Sequence, residues 1–262
     1  MLIHLVIGTT ALIVSGLTLF SGFGLGTILM PAFALFFPLT VAIAATAVVH
    51  LANNLFKLVL VGQHADWRIV GRFAMPAALA AVTGAWLLGH LAEMPPIARY
   101  EFLGQMRNVQ AVKLVIGCLI VGFALLELSP RFAHLAFPPR FLMLGGLISG
   151  FFGGLSGNQG AFRSAFLLKA GLGKQAFVAT GVVAAVIVDI VRLSVYGASF
   201  YASSFAELRG DVAPVVGTAM IAAFVGSYAG ASLLEKVTLR FVQMVVAVMM
   251  IGIGAGLASG ML

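Results

Sequence analysis

The chain carries one sequence pattern twice, and this internal repeat constrains its fold more than any other feature. Shifted by 134 residues, the sequence matches itself, so that Ser15-Gly16 aligns with Ser149-Gly150. The segment 42–49 aligns with 176–183, and Ala42, Ala45, Thr46, Val48 and Val49 are identical to their partners. In an apolar chain, such a duplication is typical of transporters that bind their substrate between two repeats.

Composition places the chain in a membrane. Hydrophobic residues make up 61% of it and charged residues only 9%, whereas a soluble domain has about 25% charged residues. The net charge of +7 does not indicate nucleic-acid binding, because the basic residues lie between apolar runs and form no patch with interleaved aromatics. The one cysteine, Cys118, excludes an intrachain disulfide. We expect two transmembrane repeats, residues 1–127 and 128–262.

Each repeat contains five apolar segments. The first repeat has 2–20, 27–37, 41–61, 69–91 and 106–126, and the second has 141–155, 160–170, 175–200, 212–234 and 239–260. The second segment of each is about 11 residues long, ~16 Å as a helix, and too short to cross a bilayer. These short arms predict a broken, re-entrant type of helical hairpin followed by three transmembrane helices in each repeat. The alternative is a plain loop between two surface segments.

A glycine-rich break precedes each short arm. Glycine accepts unusual backbone angles and close approach, and non-helical backbone at membrane depth needs protein or a water-filled cavity around it. We therefore expect the hairpin tips to meet near the membrane midplane. The break residues expected to present backbone there are Gly22, Gly24, Gly26, Gly157 and Gly160.

Charge distribution favours an inverted relation between the repeats. With an odd number of passes per repeat, one face carries Arg68, Arg72, Arg131, Arg140, Lys169, Lys174, Lys236 and Arg240, and the other carries Arg99, Arg107 and Arg209. Parallel repeats would divide the same residues almost evenly. The positive-inside rule favours the asymmetric arrangement, which places both termini outside the cytoplasm.

A polar stripe runs along the third segment of the first repeat. Thr46, His50, Asn53 and Lys57 are spaced four, three and four residues apart, which puts them on one helix face. Such a stripe usually faces the bundle interior or a water-filled path. Lys57 either binds a ligand or snorkels to the nearby helix end. His50 is a packing residue or a proton carrier.

The second break is richer in polar side chains than the first. Ser156, Asn158 and Gln159 occupy it, and Arg163 lies in the first turn of the arm that follows. A helix N-terminus favours anions, and an arginine there binds a carboxylate, sulfonate or phosphate-like group. The alternative is a structural arginine bonded to backbone carbonyls. These residues indicate a site for one small anion.

The span after the second arm holds Asp189 and Arg192, three residues apart. They either form an intrahelical ion pair, or Asp189 accepts protons while Arg192 binds the ligand. Thr180, the repeat partner of Thr46, either contacts a ligand or bonds back to its own helix.

Nothing in the sequence indicates catalysis. It has no Gly-x-Ser-x-Gly motif, no phosphate-binding loop of the Walker type and no paired metal-ligand motif, so we expect neither an enzyme nor a bound cofactor. Since Asp189 is the one acid clearly inside a span, an anionic substrate fits better than a cation.

The two break motifs resemble those of the TauE/SafE family of sulfite exporters and anion permeases. The resemblance lies in residues 21–31 and 150–160, each followed by an Ala-rich run with a threonine, and it covers nearly the whole chain. Ala165 stands where the first repeat has Pro31. The resemblance implies transport of a small sulfur-containing or organic anion, such as sulfite, sulfoacetate or another sulfonate. It also implies that the proton gradient across a bacterial cytoplasmic membrane drives this transport.

The sequence thus predicts an all-α secondary transporter of inverted repeats that binds a small anion and couples it to protons through His50 or Asp189. A passive anion channel and a non-transporting membrane scaffold are the alternatives. Expected partners are the anion, protons and the lipid bilayer, with no nucleic acid. The sequence does not fix the oligomeric state or the direction of transport.

Overall fold

The protein, seen in a computed structural model, is almost entirely helical. The structure describes residues 1–21, 25–129, 131, 135–199, 201–233 and 239–262. Its first-half helices are α1 (Leu2–Ser21), α2 (Leu25–Ala34), α3 (Leu39–Val61), α4 (Trp67–Glu93) and α5 (Ala111–Leu128). Its second-half helices are α6 (Leu142–Ser156), α7 (Gly160–Leu167), α8 (Lys174–Ser199), α9 (Tyr201–Leu233) and α10 (Leu239–Ala258). This is the architecture of an all-α membrane protein.

Four of the described helices are long and apolar enough to cross a bilayer. The qualifying stretches are Leu39–His64, Trp67–Glu93, Lys174–Ala198 and Val212–Ala229. The two short arms are confirmed as short helices, with 10 residues in α2 and 8 in α7. At 1.5 Å per residue, neither reaches the ~30 Å needed to span the hydrocarbon core.

The two halves pack by the same scheme. Helix α1 packs along α9 while its repeat counterpart α6 packs along α4, and α3 contacts α8 while α5 contacts α10. Exchanging the two halves therefore reproduces these four helix pairs. The three hydrophobic clusters of the interior each draw residues from both halves. The boundary between the two predicted repeats, after residue 127, stays a prediction.

The equivalent helices α5 and α10 run antiparallel. Lys113, near the start of α5, donates from Nζ to the carbonyl of Leu262 beyond the end of α10 at 2.9 Å. Gly117, one turn further along α5, lies against Gly254 and Ala258. An inverted relation requires such antiparallel pairs, but the inversion of the repeats as a whole stays a prediction.

A row of glycines brings α6 into backbone contact with α4. A Cβ on Gly146, Gly150 or Gly154 would lie 2.2, 2.0 or 2.2 Å from the carbonyl oxygens of Phe73, Ala77 and Ala81, respectively. Small residues at four-residue spacing allow such close packing, which is common among membrane helices. This row of glycines holds α6, and with it the second break, against the long helix α4.

A β-hairpin that the sequence reading missed connects α4 to α5. Strands β1 (Ala98–Phe102) and β2 (Gln105–Val109) pair antiparallel, and the prediction that a span begins at Met106 was wrong. Leu103 and Gly104 have φ of 52° and 74°, the positive values of a two-residue type I′ turn. Gly104 between two short segments with aromatic and β-branched residues was the available signal.

The second break is a sharp turn between α6 and α7. Gly157 ends α6 in the left-handed conformation at φ 82°, which favours glycine because it lacks a Cβ. A Cβ on Gly26, in the first turn of α2, would lie 3.1 Å from the carbonyl oxygen of Gly157. The described parts of the two hairpins thus touch. Gly22 and Gly24 of the first break, and Lys236, lie outside the described residues.

Candidate functional site

Asp189 is the centre of a buried polar cluster between α3 and α8. Its Oδ2 lies 2.6 Å from Nδ1 of His50 and accepts a hydrogen bond of 3.2 Å from Nδ2 of Asn54. Its Oδ1 accepts a hydrogen bond of 3.2 Å from Nε2 of Gln159 in the second break. One carboxylate therefore connects the polar stripe of α3 with the break between α6 and α7.

Arg192 completes the cluster from one turn further along α8. Its NH2 lies 2.8 Å from Oδ1 of Asp189, so the intrahelical pair expected from the spacing is present. Its NH1 donates to the carbonyl oxygen of Gly153 in the last turn of α6 at 3.3 Å. A Cβ on Gly157 would lie 2.6 Å from that same nitrogen. The guanidinium thus packs directly against the break.

Two further cations, Arg163 and Lys57, lie near this cluster. They are buried, with 5% and 6% of their surface exposed. The Arg163 charge is close enough to be attracted by Asp189 and to repel Lys57. Burying like charges together is costly in a low-dielectric interior unless a counter-charge is present.

Charge in the cluster is unbalanced. Among the buried residues that the structure describes, Asp189 is the single acid, whereas three basic side chains are buried: Arg192, which pairs with it, Arg163 and Lys57. With these three side chains protonated and His50 neutral, the sum is two positive charges. An environment of this kind favours a bound anion.

Asn158 supplies an amide to the break itself. It is 2% exposed, and neither Oδ1 nor Nδ2 has a hydrogen-bonding partner among the described residues. A buried amide without partners is unfavourable by about 1–3 kcal/mol per group. Gly160 follows it as the first residue of α7, and the first N–H groups of a helix lack partners within that helix. Asn158 therefore lies where a ligand would satisfy it.

The remaining sequence-predicted residues have other contacts. Thr180 Oγ1 accepts a 3.0 Å hydrogen bond from the backbone N–H of Asp66, and Asn53 Oδ1 accepts one of 2.8 Å from Ser227 on α9. Ser156 donates to the Phe152 carbonyl of its own helix at 3.1 Å. Thr46 is buried with no partner for its hydroxyl among the described residues. None of these described contacts reaches Asp189, and the ligand-lining role assigned to these four residues stays a prediction.

Two residues of the cluster were not among the predicted site residues. Asn54 bonds to Asp189, and Tyr196 donates from its hydroxyl to the carbonyl of Gly154 on α6. Both lie four residues beyond a predicted site residue, His50 and Arg192, on the same helix. That spacing was the signal available in the sequence.

The described residues form no group of three or more His, Cys, Asp and Glu side chains that could hold a metal ion. The cluster instead offers hydrogen-bond donors, positive charge and an imidazole–carboxylate pair. These groups can bind an anion and exchange protons.

Comparison with known proteins agrees with this chemistry. Residues 5–257 match the family model described as sulfite exporter TauE/SafE. Neither the curated proteins nor the solved structures gave a match to the chain. Since the family match covers nearly all of its 262 residues, this multi-pass membrane protein belongs to the TauE/SafE family of sulfite exporters, which are anion transporters.

Proposed function

We propose that the protein is a proton-coupled secondary transporter of a small sulfur-containing or organic anion, such as sulfite, sulfoacetate or another sulfonate. The observation that carries the proposal is the charge imbalance of the buried cluster, in which three basic side chains accompany one carboxylate. An anion with one or two negative charges would balance it. The bacterial cytoplasmic membrane is the proposed location.

Arg163 is the proposed main ligand of the anion. It lies in the first turn of α7, where the helix N-terminus adds its partial positive charge. A guanidinium donates two parallel hydrogen bonds to a planar or pyramidal oxyanion. Lys57 adds a second charge, and Asn158 adds neutral hydrogen bonds at the break.

The His50–Asp189 pair is the proposed proton carrier. The two side chains share a short hydrogen bond, and both can exchange protons. Asp189 also bonds Gln159 of the break and pairs with Arg192, which holds Gly153. Protonation of Asp189 would weaken these bonds together. Loss or gain of a proton would thereby change how firmly the break is held.

Transport by purified protein in liposomes tests the proposal. Labelled sulfite and sulfoacetate are offered under an imposed pH gradient, and accumulation that collapses with a protonophore is the expected result. Uptake that ignores the gradient would indicate a passive facilitator and refute the coupling. A protein that neither transports these anions nor is stabilised by them against heat would be better described as a scaffold.

A further inference from the structure

Arg163 lies toward one end of the α3–α8 helix pair. Its Nε is 3.5 Å from the position that a Cβ on Gly181 would occupy. Gly181 follows Thr180, which binds the backbone of Asp66 in the connection between α3 and α4. Asp189 lies eight residues further along α8, ~12 Å by helical rise. Arg163 therefore sits between the central cluster and the α3–α4 connection.

Lys57 is displaced toward the same end. It lies four residues before the last residue of α3, Val61, and seven beyond His50, which is ~10 Å along the helix axis. It takes part in neither of the two ion pairs, His50–Asp189 and Asp189–Arg192, found among the described residues. Arg163 and Lys57 thus form a pair of buried cations on one side of the centre.

The repeat-related positions hold no such pair of cations. The repeat alignment relates Lys57 to Val191 and Arg163 to Leu29. Leu29 is fully buried in a hydrophobic cluster, and Val191 packs against another. In an inverted repeat, these two residues occupy the positions that a pseudo-two-fold axis relates to Lys57 and Arg163. Lys57 and Arg163 thus have apolar repeat counterparts, while Arg192, the buried cation beyond Asp189 on α8, is paired with that carboxylate.

We propose that Lys57 and Arg163 form a one-sided capture site for the anion, open to the side of the membrane that carries the α3–α4 connection. This inference deepens the proposed function and rests on it. Arg68 and Lys174, at the starts of α4 and α8, lie at the same end. By the positive-inside rule that end faces the cytoplasm. An anion leaving the cell would meet the two cations first and the His50–Asp189 pair second.

Transport measured separately from each side tests the inference. Single-cysteine reporters in a Cys118→Ser background define the orientation of the protein in vesicles. His64→Cys marks the α3–α4 side, and Glu101→Cys in the β-hairpin marks the other. Both positions are exposed. A membrane-impermeant thiol reagent then shows which side faces outward.

The wild type should show a lower KM for sulfite from the α3–α4 side. Because a hydrogen bond to a charged group is worth about tenfold or more in affinity, Lys57→Gln should raise the KM on that side by about tenfold. The KM on the other side should stay within about twofold. Lys169→Gln, which removes an exposed cation on the same side, is the matched control and should change neither KM.

Equal effects of Lys57→Gln on both sides, or none on either, would overturn the one-sided site while leaving the proposed transport intact. A wild type that transports neither sulfite nor sulfoacetate, and that gains no thermal stability from them in detergent, would overturn both proposals. Val191→Lys in the Lys57→Gln background supplies a second reading. It should lower the KM on the side opposite the α3–α4 connection. A lower KM on the α3–α4 side would contradict the two-fold relation between the repeats.

Discussion

Nδ1 of His50 lies 2.6 Å from Oδ2 of Asp189, although the two residues are 139 positions apart in the chain. The contact joins α3 of the first half to α8 of the second. It places an imidazole and a carboxylate, two groups able to exchange protons, beside the broken hairpin of α6 and α7.

Replacing Asp189 by Asn should uncouple transport from the proton gradient. The amide keeps the shape of the side chain but cannot take up and release a proton. Accumulation of sulfite under an imposed pH gradient should fall to the level seen with a protonophore. Glu101→Gln, at an exposed position in the β-hairpin, is the control. Gradient-driven accumulation equal to that of the wild type would refute the coupling role.

Asp189→Asn should also lower the stability of the folded protein. It leaves Arg192 buried without its ion-pair partner, and breaking a buried pair from one side is unfavourable by about 3–5 kcal/mol. Thermal unfolding in detergent should be recorded alongside transport. A variant that remains folded and has lost only the gradient response separates coupling from structure.

Replacing His50 by Gln should flatten the dependence of transport on pH. The amide can still donate a hydrogen bond to Asp189, but it cannot carry a proton. Initial rates measured between pH 5 and 8, the range in which histidine ordinarily titrates, should vary less than those of the wild type. The exposed His64 provides the control substitution His64→Gln. An unchanged pH profile in His50→Gln would assign the imidazole to packing alone.

Replacing Arg163 by Gln should abolish stabilisation of the folded protein by small anions. A ligand present at 100 times its Kd stabilises the folded state by about 2.7 kcal/mol. The rise in Tm with sulfite should therefore be clear in the wild type and absent in the variant. Arg72→Gln removes an exposed arginine and should keep the full rise. A full rise in Arg163→Gln would place the anion elsewhere.

Replacing Gly150 by Ala should destabilise the close backbone contact between α4 and α6. The added Cβ would lie 2.0 Å from the carbonyl oxygen of Ala77, so one helix must move, and overpacking of this kind is unfavourable by about 1–3 kcal/mol. The Tm in detergent should fall. Gly122→Ala on α5, where nothing lies within 4 Å, should leave the Tm unchanged or raise it. Equal Tm values for the two variants would contradict the close backbone contact.

The sequence by itself determined the local features of this protein. The apolar runs fixed most helices, because a bilayer imposes length and hydropathy on each span. The repeat marked the two breaks, and the three-residue spacing of Asp189 and Arg192 was enough to place them on one helix face. The β-hairpin was missed because strand β2 ends at Val109, only two residues before α5 begins at Ala111, and the predicted span joined the two.

Only the tertiary structure decided which of these residues meet. Helical periodicity gives the face of a side chain within its own helix but not the helix opposite. The antiparallel packing of α3 and α8 brings Asp189 to His50 and Asn54, while Asn53, one residue from Asn54, is directed to Ser227 on α9. A helix rotates by about 100° per residue, so neighbouring amides in the sequence have different partners in the fold.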